Sequence, residues 1–528
     1  MQVEVLTNRE VTFMAGEVST GPQPSWRYTN RGVAVRLFLT CWLVYGLHFS
    51  TNTVREIYPA LSLGDHLSFN VSEYIGLHPD IFEIPGRGAF INSNPGSSIV
   101  GAIPYAISRP LIDRAVERTQ HARAASNATE TAKYDSPWPM AREFYQRARE
   151  RGYDIKFGLA SAVIQGFAMA PLSALSAVVM FYIFLGLKVS ARRAMWLTLL
   201  YAFATPIFYR TAQLNQNLLV SHCALFAFAL LWRPWDAVDN PLRPNYFLAG
   251  LLCGFAVVLD YSGIVVPVVL GVYGLIRRAS LPPASKSRWD FAFFIGGLAI
   301  CAAMLMGYQW VCFGNPLYPA QRYMPATEFS HYGYNGMDRP HLDLLWQTAF
   351  DLRFGLFTSA PLLLLALWVP GWVKRNHRLI GNRETWCIVA FTVLLFLFSA
   401  ANQFGRLQFN TGVRYIVPVV PFIFILVAGI LLRLPKSVAI AIGIVGTYWS
   451  WCLAMYRDVE LGHGVFESLR HITLEGLRLP WLTTLERMGY VAPGAAVLPV
   501  LVLMLAIVWT VWRIGQHKDS SRTAPATR

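Results

Sequence analysis

The chain has 528 residues, of which 54% are hydrophobic and only 14% charged, and its mean hydropathy is +0.39. Soluble domains carry about 25% charged residues because their surface must meet water, so a string of soluble domains is excluded and a polytopic membrane protein is expected. The 45 Lys and Arg against 30 Asp and Glu leave a net charge of +15, which in such a protein reflects basic cytoplasmic loops and sets nucleic-acid binding aside.

A hydrocarbon core about 30 Å thick needs about 20 apolar residues as helix, and irregular backbone cannot face lipid, so long apolar runs are read as membrane helices. A polar segment, 1–32, precedes the first run at 33–50, and no small-residue cleavage site follows it, so the run is read as a retained anchor. Within the polar stretch 51–156, residues 97–112 contain Pro104, Arg109 and Pro110 and predict an interfacial helix lying on the membrane. Runs follow at 157–187, 195–210 and 218–232.

Residues 246–276 would reach about 46 Å as one helix, and Asp260-Tyr261-Ser262-Gly263 interrupts them. Arg233 and Arg243 lie before this run and Arg277, Arg278, Lys286 and Arg288 after it, so both flanks read as cytoplasmic and the run predicts a hairpin of two short helices. Runs at 290–313, 355–373, 386–401, 415–432, 437–455 and 495–513 complete the set. The expected fold class is an all-α polytopic membrane protein of about twelve spans, with one transmembrane domain over 33–513 and both termini, including the tail 514–528, in the cytoplasm. The loops so assigned to the inside are the more basic ones once the long first outer loop is set aside.

Polar material concentrates in three outer segments, 51–156, 314–354 and 456–494, so the working face is expected outside. That face has no nucleotide supply, and a transfer reaction there must draw on an activated, lipid-linked donor. Within 114–156, charges of both signs, an Ala/Ser/Asn/Thr-rich middle and a helix near 139–151 predict a solvated insertion packed loosely over the outer face. The seven cysteines all lie in or beside apolar runs and read as core hydrophobes. No dinucleotide, P-loop or His-Glu-x-x-His motif is present; no cofactor is required by the sequence, and no ligand spacing supports a divalent metal.

Glu56 follows the first span by a few residues, at a depth where a carboxylate meets both a lipid head group and an acceptor hydroxyl, which suits a general base. The competing reading is that it pairs with Arg55 or caps the next helix. Span 1, the acidic segment after it, and Asn92-Ser93-Asn94-Pro95-Gly96-Ser97-Ser98 leading into Ala102-Ile103-Pro104-Tyr105 resemble the first outer loop of the glycosyltransferase C superfamily. The resemblance is to its bacterial members related to protein O-mannosyltransferases and lipid A aminoarabinose transferases. Asp351 to Pro361 and Gly412 to Pro418 are similar to later segments of the same group, so the likeness covers 33 to about 432.

The resemblance implies an inverting membrane glycosyltransferase. It would take a sugar from a polyprenyl-phosphate donor, with an essential acid early in the first outer loop, here Glu56. Relatives often carry an acid pair where this chain has Arg55-Glu56, which leaves Asp65, and after it Asp80, as alternatives; some relatives use a divalent metal.

A departing prenyl phosphate needs positive charge, and arginine offers a planar two-pronged donor. Arg414, directly before an apolar helix, is the first choice, with Arg406, Arg322, Arg353 and Arg210 also on the outer face. Arg414 also fits a snorkelling interface anchor. Tyr318 to Tyr334, including Tyr323, mixes aromatics and small polar groups as a sugar site does, although an interface belt is the preferred reading. Asp260, an ionisable group inside an apolar run, is expected at the hairpin tip, reaching outer water. The acceptor, whether glycan, lipid or protein, is open, and a lipid transporter or a non-catalytic assembly protein are the competing classes.

Overall fold

The computed structural model describes residues 29–51, 54–125, 134–236, 244–368, 379–407, 411–456, 464–494 and 496–514. Most of the predicted N-terminal segment and tail, the middle of the 114–156 insertion and the end of the 355–373 run lie outside these residues. The described chain is almost wholly helical, apart from one antiparallel hairpin in which β1 (Ile81–Ile84) pairs with β2 (Gly88–Ile91).

Helix α1 (Asn30–Leu47) starts where the Thr29 side chain accepts from the Gly32 amide. It is followed by α2 (Ile57–His66), which stops at Leu67 in the left-handed region. Helix α3 (Gly96–Ala125) differs from its prediction: it runs for 30 residues straight through Pro104 and Pro110, and takes in the first part of the expected insertion. Tertiary contacts outweigh the two prolines. Tyr105 is buried and donates to Asp65 at 2.9 Å, and Arg123 clasps Asp154 at 3.1 and 2.7 Å near the far end.

The predicted helix near 139–151 is α4 (Pro139–Glu150). It is not a loose cover: Tyr145 stacks on Tyr134 with centroids 4.1 Å apart, and its hydroxyl bonds Thr51 at 2.9 Å. Helices α5 (Asp154–Ile164) and α6 (Ala170–Gly186) join through a π turn over Gln165–Met169. The 195–210 run breaks into α7 (Ala191–Phe203) and α8 (Pro206–Arg210), because Thr205 caps the second helix and Pro206 cannot continue the first.

Helix α9 (Gln216–Trp232) is capped by Asn215. Helices α10 (Tyr246–Leu259) and α11 (Val265–Ser280) form the predicted hairpin around Asp260. Their antiparallel course shows in the glycines: Gly250 and Gly271 both abut Phe294 of α12 (Asp290–Phe313), and Gly274 faces Tyr246. Beyond α12 come Leu342–Phe350, Leu356–Ser359, a 3₁₀ turn over Pro361–Trp368 where an α-helix was expected, Asn382–Ala401, Val420–Leu431, Lys436–Met455, Val465–Glu475, Pro480–Arg487 and Val497–Arg513.

Among the described residues, five helices are long and apolar enough to cross a membrane: Asp154–Gly186, Tyr261–Ser280, Pro283–Phe313, Asn382–Ala401 and Lys436–Met455. Four shorter apolar ones are Gln216–Trp232, Tyr246–Leu259, Val417–Leu431 and Val497–Arg513. The other three predicted spans coincide with α1, the broken α7–α8 and the 356–368 segment, which are not among them. Asp154–Gly186 is mostly buried among its neighbours, whereas Pro283–Phe313 leaves most of its apolar surface uncovered, as a perimeter helix facing lipid does.

Candidate functional site

A cavity of about 890 Å³ opens where the ends of these helices meet. Its lining comes from segments far apart in sequence: Val54 to Glu56, Gly76 to Asp80, Asn92 to Asn94, α4, Gln213 to Gln216, the hairpin tip Asp260 to Ser262, the 317–337 loop, Phe398 to Leu407, and Arg414 with Tyr415. Two of the three polar segments expected outside, and the hairpin tip, thus share one hollow.

Glu56 is 1% exposed and begins α2 without capping it. Its Oε1 lies 2.8 Å from Arg55 Nε, while Ser98 Oγ donates to its carbonyl at 2.8 Å. Arg55 also reaches Asp80 at 3.2 Å and Asn92 Oδ1 at 2.9 Å, so one guanidinium serves two carboxylates and an amide. Burial pulls the Arg55 guanidinium down, but Glu56 and Asp80 more than offset this and hold it above its ordinary value. Burial pushes Asp80 up, yet Arg55, His78 and Arg414 together hold it below the usual carboxylate range. The stability its pairing contributes is therefore complete above about pH 4 and is lost as pH falls through the lower folded value. His78 is held below its ordinary value mainly by burial, and so is neutral at pH 7.

Arg414 is partly buried and lines the cavity, and among the described residues its guanidinium makes no hydrogen bond or ion pair. The strap that presents it, Thr411 to Val413, is clamped from behind. Arg210, fully buried, donates through Nε to Val413 O at 2.6 Å and through Nη2 to Thr411 O at 3.2 Å and to Gly412 O. Gly412 N donates to Arg353 O at 2.6 Å, and Val413 N to Ser359 Oγ at 3.0 Å. Gly412 has φ +86°, and an added Cβ would stand 2.8 Å from the Tyr209 ring. Gly412→Ala is expected to lower stability by about 1–3 kcal/mol, read as a lower Tm in detergent, since both backbone and ring must yield.

Of the residues singled out in the sequence, Glu56, Asp80 and Arg414 line the cavity; Asp65, Arg406, Arg322 and Tyr323 do not. Asp65 is held by Lys156 at 2.7 Å, Arg109 at 3.1 Å and Tyr105 at 2.9 Å, and ties α2 to α3 and α5. Asp65→Asn is expected to destabilise the fold by about 2 kcal/mol, less than the 3–5 kcal/mol of a fully buried pair because Arg109 is 40% exposed. Thermal unfolding of the variant measures this. Arg406 pairs with Asp343 at 2.5 Å and Gln403 at 3.1 Å, Arg322 is exposed, and Tyr323 stacks on Phe313. Arg210 is a clamp rather than an outer-face ligand.

Compared with family models, curated proteins and solved structures, the chain matches none. Its chemistry therefore has to be read from the cavity itself. Among the described residues, Asp65, His66 and Glu73 bring ligand-type atoms within 4.8 Å of one another, outside the cavity. Lys156 and Arg109 already neutralise Asp65 there, which suits a cation poorly. The residues to which the sequence reading gave no role are Arg55 as a hub, His78, Asn92 and the α4 side chains Phe144 and Tyr145; the signals available were the adjacency of Arg55 to Glu56 and the place of Asn92 in the segment that carries the resemblance.

Proposed function

We propose that the protein is an integral-membrane glycosyltransferase of the glycosyltransferase C kind. It takes a sugar from a polyprenyl-phosphate donor and transfers it, with inversion, to an acceptor hydroxyl. In this reading the chain crosses the membrane about twelve times, both termini are cytoplasmic, and the cavity faces the extracytoplasmic side. The observation that carries the proposal is the joint presence, in one cavity among apolar helix ends, of the buried carboxylate Glu56 and the guanidinium of Arg414, which forms no ion pair among the described residues.

In the proposed step the acceptor oxygen bonds to the anomeric carbon as the carbon–phosphate oxygen bond breaks. The bonding pair leaves with the prenyl phosphate, whose growing charge Arg414 receives, and the acceptor proton passes to Glu56. Arg55 makes this workable despite its contact with Glu56: once Glu56 is protonated, Arg55 keeps Asp80 and Asn92 as partners. The test is purified protein in lipid nanodiscs offered a panel of radiolabelled polyprenyl-phosphate sugars. Release of prenyl phosphate with label transferred to an acceptor is the expected result, and inert protein across the panel would overturn the reading.

A further inference from the structure

The geometry points to a second subsite in the cavity, built around Asp260, that binds an uncharged saccharide through its hydroxyls. The inference deepens the reading above, in which this saccharide is the acceptor. The cavity's carboxylates are not alike. Glu56 and Asp80 both contact Arg55, at 2.8 and 3.2 Å. Asp260 pairs with no cation among the described residues; its oxygens take only neutral donors, the Ser262 amide at 2.8 Å and Gln216 Nε2 at 3.3 Å. An ionised carboxylate accepts about four hydrogen bonds, so roughly half its capacity is left for a ligand.

The wall around it has the same character. Gln309 donates to the Tyr261 hydroxyl at 2.6 Å, Tyr334 shares the lining, and Asn335 carries a buried Nδ2 with no partner among the described residues. Each carboxamide offers donors and an acceptor, matching hydroxyls that do both, and the two phenol rings suit the C–H faces of a sugar. A phosphorylated acceptor would meet an unneutralised carboxylate there. A peptide hydroxyl would leave most of these groups unsatisfied, at a desolvation cost. Arg414 and the Arg55 group line the same cavity, so a donor phosphate and an uncharged acceptor have partners of different chemistry in one hollow.

Isothermal titration of the full chain in nanodiscs with neutral oligosaccharides tests this without requiring turnover. At least one neutral oligosaccharide binds the wild type, and Asp260→Asn weakens that binding about tenfold or more, the loss expected of charge-assisted hydrogen bonds. Tyr261→Phe, which keeps the ring and leaves the carboxylate untouched, weakens it less. Glu56→Gln loses transfer but keeps the oligosaccharide affinity. Unchanged affinity in Asp260→Asn overturns the subsite, as does a Ser/Thr-rich peptide or an amine-bearing sugar that binds more tightly than every neutral oligosaccharide and loses that binding in Asp260→Asn. Saccharide binding by a wild type that transfers nothing from any prenyl-phosphate donor would sink the transferase reading and leave the subsite standing.

Discussion

Arg414→Ala lowers kcat/KM for the polyprenyl-phosphate donor by about 10²–10³-fold, the loss typical when one preorganised charge donor is removed from a transition state. Among the described residues no acid pairs directly with this partly buried guanidinium, which feels Asp80 only at longer range and is held in place by the Arg210 clamp and the Gly412 turn behind it. In the proposed reaction, the departing phosphate supplies the anion that would pair with it. Removing Arg414 therefore costs activity without costing stability, and Tm stays at or slightly above the wild-type value. Arg414→Lys restores part of the rate, since a point charge replaces the two-pronged contact. Donor kinetics and thermal unfolding measured on the same preparations decide the matter: near wild-type kcat/KM in Arg414→Ala removes the guanidinium from the reaction.

Glu56→Gln lowers kcat by about 10²–10⁴-fold with little change in donor KM, the range general-base catalysis supplies. The substitution keeps the size and a hydrogen-bond acceptor for Arg55, which also retains Asp80 and Asn92, so the cavity wall stays folded. Asp65→Asn is the informative contrast, because it changes an acid of the same loop that lies outside the cavity and binds Lys156 and Arg109. Its loss is in Tm, and the protein that remains folded turns over normally. A folded Asp65→Asn with abolished transfer, beside an active Glu56→Gln, would reverse the two assignments.

The elements legible from sequence are those set by run length and local signals. Apolar runs near 157–187, 290–313, 386–401 and 437–455 are helices, since any segment that long and apolar must satisfy its own backbone in lipid. The turn at Asp260 and the helix near 139–151 were readable for the same local reason. Where the reading failed, distant contacts overrode local preference. The expected interfacial helix covered 97–112, with both prolines inside it, yet α3 continues to Ala125 because Tyr105, Arg109 and Arg123 are anchored by α2 and α5. The 195–210 run is a different case, since a local signal missed in the apolar run, the Thr205 cap followed by Pro206, starts the short helix α8 that carries Arg210 to the strap.

The candidate site divides along the same line. Glu56 and Arg414 were singled out by their identities and their places beside apolar runs, and Asp80 as a further acid of the first outer loop. That Glu56 and Arg414 share a hollow while Asp65 and Arg406 do not, and that Arg55 bridges positions 25 and 37 residues away, required the folded chain. Hydrophobic run length acts through solvent and leaves its mark on every stretch of sequence. Ion pairs and hydrogen bonds act over about 3 Å and exist only once remote segments have been brought together.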